Sequence, residues 1–149
     1  MTDGVVVREP GSGPATWAMS SLFEHLVGAE DTEGLLGVSL VTQPPGVATP
    51  LHRHTREAEA FYVLDGQVSY RAGEQQHELG PGWFIYLPRG LPHAFRIRGA
   101  SPARFVALTT PGVDVESVVQ RQRVATVHAM QDLTRLKQRA GDDDAWLLV

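Results

Sequence analysis

The chain has 149 residues, a length that suits one domain with its own hydrophobic core, and it contains no cysteine, which excludes a disulfide framework and a thiolate metal site. Its formal net charge of -4 lacks the basic field that nucleic-acid binding requires. Because no stretch approaches the roughly 20 apolar residues of a membrane span, we expect a cytoplasmic protein that binds neither nucleic acid nor membrane.

The first part of the chain, residues 1–33, is predicted to be an arm with one or more short strands that packs on the main domain. Residues 4–14 mix Gly, Pro and Ser around a short Val run, which favours an irregular segment that could hold one short strand. From Trp17 to Gly34 the pattern is ambiguous, since the sequence LFEHLV fits a helical turn as well as a strand.

Residues 34–112 are predicted to form an all-β core domain. Short runs rich in Val, Leu, Ile, Phe and Tyr alternate with Gly and Pro, which is typical of antiparallel sandwiches and barrels. Asp65-Gly66 supplies the positive φ of a tight hairpin turn, and Ala72-Gly73 indicates a second turn. The predicted strands are 35–42, 51–54, 58–64, 67–71, 75–79, 82–87, 92–98 and 103–110.

The C-terminal part, residues 113–149, changes to a helical pattern. Apolar residues recur at helical spacing behind Asp114, which could serve as an N-cap. We therefore expect one or two helices packed on the outside of the barrel. The apolar positions are Val115, Val118, Val119, Met130, Leu133, Leu136 and Ala140.

Two histidines in the predicted strand 51–54 indicate a metal site. His52 and His54 are two positions apart, so they point to the same face of a strand. Glu59 comes within reach if the intervening residues bend, and His93 lies in a later strand that the fold must bring close. Three imidazoles and one carboxylate suit one divalent transition ion (Mn, Fe, Co, Ni, Cu or Zn) better than Ca or Mg. A histidine pair alone is weak evidence, because such pairs are more often surface or core residues.

Two spaced patterns surround these residues. The first, PPGVATPLHRHTREAEAFYVLDG, leaves five residues between a glycine and His52, four between His54 and Glu59, and six between Glu59 and the next glycine. The second, GPGWFIYLPRGLPHAF, ends shortly after His93, and fifteen residues separate its second glycine, Gly82, from Gly66 of the first. Both resemble the two motifs of the cupin superfamily, and the short separation is similar to that of small single-domain cupins.

Membership of the cupins implies a six- to eight-stranded antiparallel jelly-roll β-barrel with the metal inside, and a homodimer. The chain departs from the family pattern at Ile97, where Asn is frequent, and at Trp83, where Asp is common. Neither position is a ligand, so the metal assignment is unaffected. The ligands implied by the resemblance are His52, His54, Glu59 and His93.

Other titratable residues compete for these roles. The family spacing selects Glu59 rather than Glu57, which is then interpreted as a solvated loop residue. His25, His77 and His128 fall outside both motifs, and we interpret them as surface or structural histidines.

A narrower resemblance, to small cupins similar to quercetin 2,3-dioxygenase, covers the chain from Trp17 to Pro111. The segments AFYVLDG, LPRGLPHAFR and ALTTPG carry it. It implies a metal-dependent dioxygenase that acts on a phenolic or enolisable small molecule. Because a carboxylate can accept a proton from the substrate hydroxyl, Glu59 is the candidate catalytic base, with a metal-bound hydroxide as the alternative. The same ligands would equally suit an isomerase or a polyketide-type cyclase that needs no oxygen, or a cupin that only binds a small molecule.

Four apolar residues are candidates for the substrate pocket. Phe61 and Val63 share strand parity with Glu59, while Phe95 and Ile97 share it with His93. They would line a pocket for a planar aromatic or polyketide-like molecule, or they simply fill a small barrel. Strand parity outside the motifs is too uncertain to assign a role to the tyrosines, Tyr62, Tyr70 and Tyr86.

Overall fold

The computed structural model describes residues 4–18 and 20–113, which form nine β-strands. Two antiparallel sheets result, one of six strands in the order β1-β2-β3-β9-β4-β7 and one of three in the order β6-β5-β8. The strands are β1 Ala15–Ala18, β2 Ser21–Val27, β3 Gly37–Gln43, β4 Ala58–Asp65, β5 Gln67–Ala72, β6 Gln75–Leu79, β7 Phe84–Leu87, β8 His93–Arg98 and β9 Ala103–Thr110.

The prediction of an all-β antiparallel barrel is confirmed. Seven of the eight predicted runs coincide with strands β3 to β9, and the ambiguous LFEHLV lies in β2. The Asp65-Gly66 turn joins β4 to β5, and Gly66 has a φ of +85°. An added Cβ at Gly66 would lie 2.6 Å from the Ala103 Cα, so this turn needs glycine for space as well as for conformation.

The prediction of a strand at 51–54 was wrong. Residues 46–52 instead run beside β8 as an irregular segment, joined by hydrogen bonds from Thr49 N to Phe95 O at 2.9 Å and from His52 N to His93 O at 3.0 Å. Between these two bonds the segment contains one residue more than β8 does, and Pro50, which has no N–H to donate, lies there. A regular ladder therefore cannot form.

Inward-facing side chains form successive layers along the strands of the barrel, and the candidate site lies in the layer at one end. At one end, Glu59 of β4 and His93 of β8 face inward. The next layer is aromatic, with Phe61 on the large sheet and the neighbours Tyr70 and Phe95 on the small one. The layer farthest from Glu59 is aliphatic apart from one ring, and all its members are at most 1% exposed: Val41, Val63, Val68, Ile97 and Phe105.

The two ends of the chain leave some predictions open. Residues 5–14 form no strand, so the short strand considered for 4–14 is absent and β1 begins just after it, at Ala15. The predicted C-terminal helices lie outside the described residues. Within 4–18 and 20–113, no helix is long and apolar enough to cross a membrane.

Candidate metal centre

Three imidazoles and one carboxylate converge at the end of the barrel interior. His93 is the first residue of β8 and Glu59 the second of β4, while the irregular segment beside β8 supplies His52 and is followed by His54. His93 Nε2 lies 2.9 Å from Glu59 Oε2, and His54 Nε2 lies 3.3 Å from the same oxygen. One ligand atom from each residue lies within 4.8 Å of the others. This cluster is able to bind a metal ion.

Backbone carbonyls fix the orientation of two of the rings. His52 Nδ1 donates to Pro50 O at 2.7 Å, and His93 Nδ1 donates to Leu91 O at 2.9 Å. Because Nδ1 is occupied in both rings, Nε2 is the nitrogen left to face the cluster. Such outer hydrogen bonds are the usual way in which proteins hold metal-binding histidines, so the donor set fits a transition ion.

Glu57 is buried and not exposed to solvent. The interpretation of Glu57 as a solvated loop residue was wrong, because only 4% of the residue is exposed. Its Oε2 lies 3.9 Å from His54 Nδ1, on the side of the ring away from Glu59. Glu57 thus brings a second carboxylate next to the cluster. Its parity with Glu59 in the sequence is the signal that points both side chains inward.

The electrostatics of the cluster favour metal binding at neutral pH. Burial, reinforced by the neighbouring His93, lowers the pKa of His52 to about 4, so this imidazole is neutral and ready to ligate. Burial opposes ionisation of Glu59, but hydrogen bonds from His54 and His93 outweigh it and lower the pKa of Glu59 to about 2. The carboxylate is therefore ionised.

Acid should destabilise the metal-free protein through His52. Between pH 6.5 and about 4 the unfolded chain protonates this histidine and the folded chain does not, so the free energy of unfolding should fall as pH is lowered through this range. The expected loss is roughly 3 kcal/mol. The low pKa of Glu59 works in the same direction, but mainly below pH 4.5.

Urea unfolding of chelator-treated protein from pH 7.5 to 4.5 would measure this loss. The His52→Gln variant is the control and should show a flatter dependence, because its side chain does not titrate. Parallel curves for the two proteins would contradict the assignment.

The four candidate pocket residues lie in the hydrophobic core cluster. Phe61 and Phe95, 6% and 7% exposed, form the layer next to Glu59 and His93. Val63 and Ile97 lie one layer farther away and are at most 1% exposed.

The remaining tyrosines and histidines are also located by the strands. Tyr62 and Tyr86 lie on the outer face, 45% and 57% exposed, whereas Tyr70 is buried inside. His77 is exposed on β6. His25 is part-buried and hydrogen-bonded to Thr16 Oγ1 at 3.0 Å and Ser39 Oγ at 3.2 Å, in keeping with a structural histidine. His128 lies outside the described residues.

Comparison with known proteins agrees with this fold and site. The family model described as "Cupin domain" matches residues 39–109, which include all four residues of the cluster. Residues 39–109 form a cupin domain. The resemblance predicted from the two motifs is thereby confirmed.

Two curated relatives and one solved structure illustrate the similarity of this chain to known proteins. Quercetin 2,3-dioxygenase from Bacillus subtilis (strain 168) is 28% identical over 115 residues, which are 76% of this chain and 34% of that protein. Dimethylsulfoniopropionate lyase DddQ from Ruegeria pomeroyi is 36% identical over 62 residues, which are 41% of this chain and 30% of that protein. The chain thus matches about a third of the length of each relative.

The fold likeness extends to the polyketide cyclase RemF from Streptomyces resistomycificus. Its structure superposes with a TM-score of 0.62 and 24% sequence identity, over 72% of this chain and 80% of that one. At this identity the likeness concerns the barrel fold alone.

Proposed function

We propose that this cupin is a metal-dependent dioxygenase that acts on a phenolic or enolisable small molecule. The observation that carries the proposal is the convergence of three imidazoles and Glu59 within 4.8 Å, directly above an aromatic layer of the barrel interior. The similarity to quercetin 2,3-dioxygenase over 76% of the chain supports this reaction class.

The chemistry is divided between a metal and the residues around it. A divalent ion held by His52, His54, Glu59 and His93 would polarise the oxygen of a bound substrate and lower the pKa of its hydroxyl. The ring nitrogens of the histidines that face the cluster would be bound to the metal, so Glu59 is the ligand placed to accept the hydroxyl proton.

The substrate pocket is proposed to lie beside the aromatic layer. Phe61 and Phe95 would form its floor, where their rings can pack against a planar substrate. Val63 and Ile97 are assigned to core packing, because each lies one layer farther from the cluster and is at most 1% exposed.

Metal analysis followed by oxygen-electrode assays with flavonols and polyphenols would test the proposal. We expect about one transition ion per chain and oxygen uptake that depends on substrate. Turnover without oxygen uptake would assign the site to an isomerase or cyclase. Substrate binding without any turnover would assign it to a small-molecule-binding protein.

We also propose a homodimer, in which a second copy covers the β7 edge of the six-stranded sheet. Large side chains on and beside this edge are exposed, with Trp83 and Phe84 both at 61%. Strand β7, FIYL, carries neither a charge nor a proline that would protect an open edge from pairing. A patch of this kind marks an interaction surface. Its members are Tyr62, Leu64, Trp83, Phe84 and Tyr86.

Sedimentation equilibrium at micromolar concentration is expected to give the mass of two chains. Phe84→Glu should shift the mass toward one chain, because it places a charge in the buried interface. Gln76→Glu, on the exposed strand β6, is the matched control and should remain dimeric. A wild-type mass of one chain would contradict the dimer, and a dimeric Phe84→Glu would contradict this interface.

A further inference from the structure

The hydroxyl of Tyr70 is a buried polar group inside the barrel that stabilises no other described part of the fold through a hydrogen bond. The residue lies on β5 with 0% exposure, and its hydroxyl has no hydrogen-bond partner among the residues that the structure describes. Burial of a hydroxyl without a partner loses its hydration without compensation. A phenylalanine would fill nearly the same volume without that cost, so the hydroxyl contributes nothing visible to packing.

The ring contacts place Tyr70 within the aromatic layer next to the metal cluster. Its ring centroid lies 5.6 Å from that of Phe61 and 5.4 Å from that of Phe95. Phe105 contacts the same two rings, at 5.6 and 6.0 Å, but belongs to the layer farthest from Glu59.

The neighbouring strands agree with this placement. On β5, Ala72 pairs with His93 of the cluster, and Tyr70 is the next inward-facing residue of the same strand. Burial, with an added contribution from the charge of Glu59, raises the pKa of Tyr70 well above its usual value. The phenol thus remains protonated and can act as a hydrogen-bond donor.

We propose that the Tyr70 hydroxyl donates a hydrogen bond to an anionic oxygen of the ligand held at the metal cluster, such as a phenolate or enolate oxygen. This inference rests on the proposed function, because it requires a ligand at that site. The bond would provide the partner that the buried hydroxyl lacks in the fold alone. It would also favour ligands with two neighbouring oxygens, one directed at the cluster and one at Tyr70.

The Tyr70→Phe variant tests this role, with Ser101→Ala, which removes an exposed hydroxyl outside the barrel interior and outside the β7 patch, as the control. Each protein would be loaded with Co²⁺ and titrated with 4-nitrocatechol, whose absorption reports binding. Metal content and urea unfolding midpoints would be measured alongside. We expect Tyr70→Phe to keep its metal and its unfolding midpoint but to bind the catechol at least ~10-fold more weakly, as for loss of a hydrogen bond to a charged group. Ser101→Ala should match the wild type in all three measurements.

The results separate this proposal from the proposed function. A wild-type protein without metal would count against the metal site, whereas equal catechol affinity of wild type and Tyr70→Phe would overturn the role of Tyr70 alone. The unfolding midpoints need no metal and give an independent answer. A lower midpoint for metal-free Tyr70→Phe would show that the hydroxyl serves the fold, and would also overturn the proposal.

Discussion

Replacing both His52 and His54 by Ala is expected to reduce the bound metal from about one ion per chain to a trace. The two rings supply half of the four ligand atoms that lie within 4.8 Å of one another. Even outer partners of metal ligands are worth ~10–100-fold in affinity, so loss of two direct ligands should cost more than that. Metal analysis of protein purified at neutral pH, followed by competition with a chelator, would measure the loss.

The control for this experiment is His77→Ala, which removes an exposed histidine on β6 and should retain the metal. The double variant should remain folded, because neither imidazole belongs to the hydrophobic core cluster. Circular dichroism would confirm the strand content. Stoichiometric metal in a folded double variant would exclude these residues as ligands.

Most of the strands and three of the four ligands could be predicted from the sequence because local signals specify them. Gly and Pro end each apolar run, so strand boundaries follow from turn chemistry, as at Asp65-Gly66. The spacing of His52, His54 and Glu59 within the first motif is equally local. His93, by contrast, was predicted as a ligand only from the family resemblance, because no local pattern relates it to Glu59, 34 positions earlier in the chain.

The predictions that were wrong or open depended on neighbours that are distant in sequence. His52 and His54 do lie together in the cluster, but the alternation of side chains along a strand, from which this was predicted, is not the cause. Pro50 and an extra residue interrupt the pairing of this segment with β8, so no regular strand forms there. The segment LFEHLV fits either structure on its own and is a strand because β1 and β3 pair with its two edges. Tertiary context overrides a weak local preference in such cases.

Glu57 and Tyr70 show the same limit for side chains. A glutamate just before a strand is exposed in most proteins, whereas Glu57 is buried with its carboxylate 3.9 Å from His54 Nδ1. Tyr62 and Tyr70 are both in apolar strands, yet one faces outward and the other lies inside. Which side of a sheet faces the core is decided by the opposite sheet, and the sequence near each tyrosine does not record it.

Replacing Glu59 by Gln is expected to preserve much of the metal and to abolish most turnover. Both His54 and His93 approach the same carboxylate oxygen, Oε2, and the amide oxygen of Gln can occupy that position with nearly the same shape. The amide cannot accept a proton from a substrate hydroxyl, however. General base catalysis is typically worth ~10²–10⁴-fold, so the loss of turnover should be of that order.

The comparison with His93→Ala distinguishes a catalytic Glu59 from a structural one. His93 is 2% exposed, and its removal takes away both a ligand and the ring that contacts Glu59, so His93→Ala should lose metal and turnover together. Glu59→Gln should lose turnover alone, when rates are compared at equal metal content. Because the histidine nitrogens that face the cluster would be bound to the metal, Glu59 is the one of the four ligands that is placed to take the proton. Near-normal turnover of metal-loaded Glu59→Gln would therefore mean that the proton leaves by another route and that Glu59 only holds the metal.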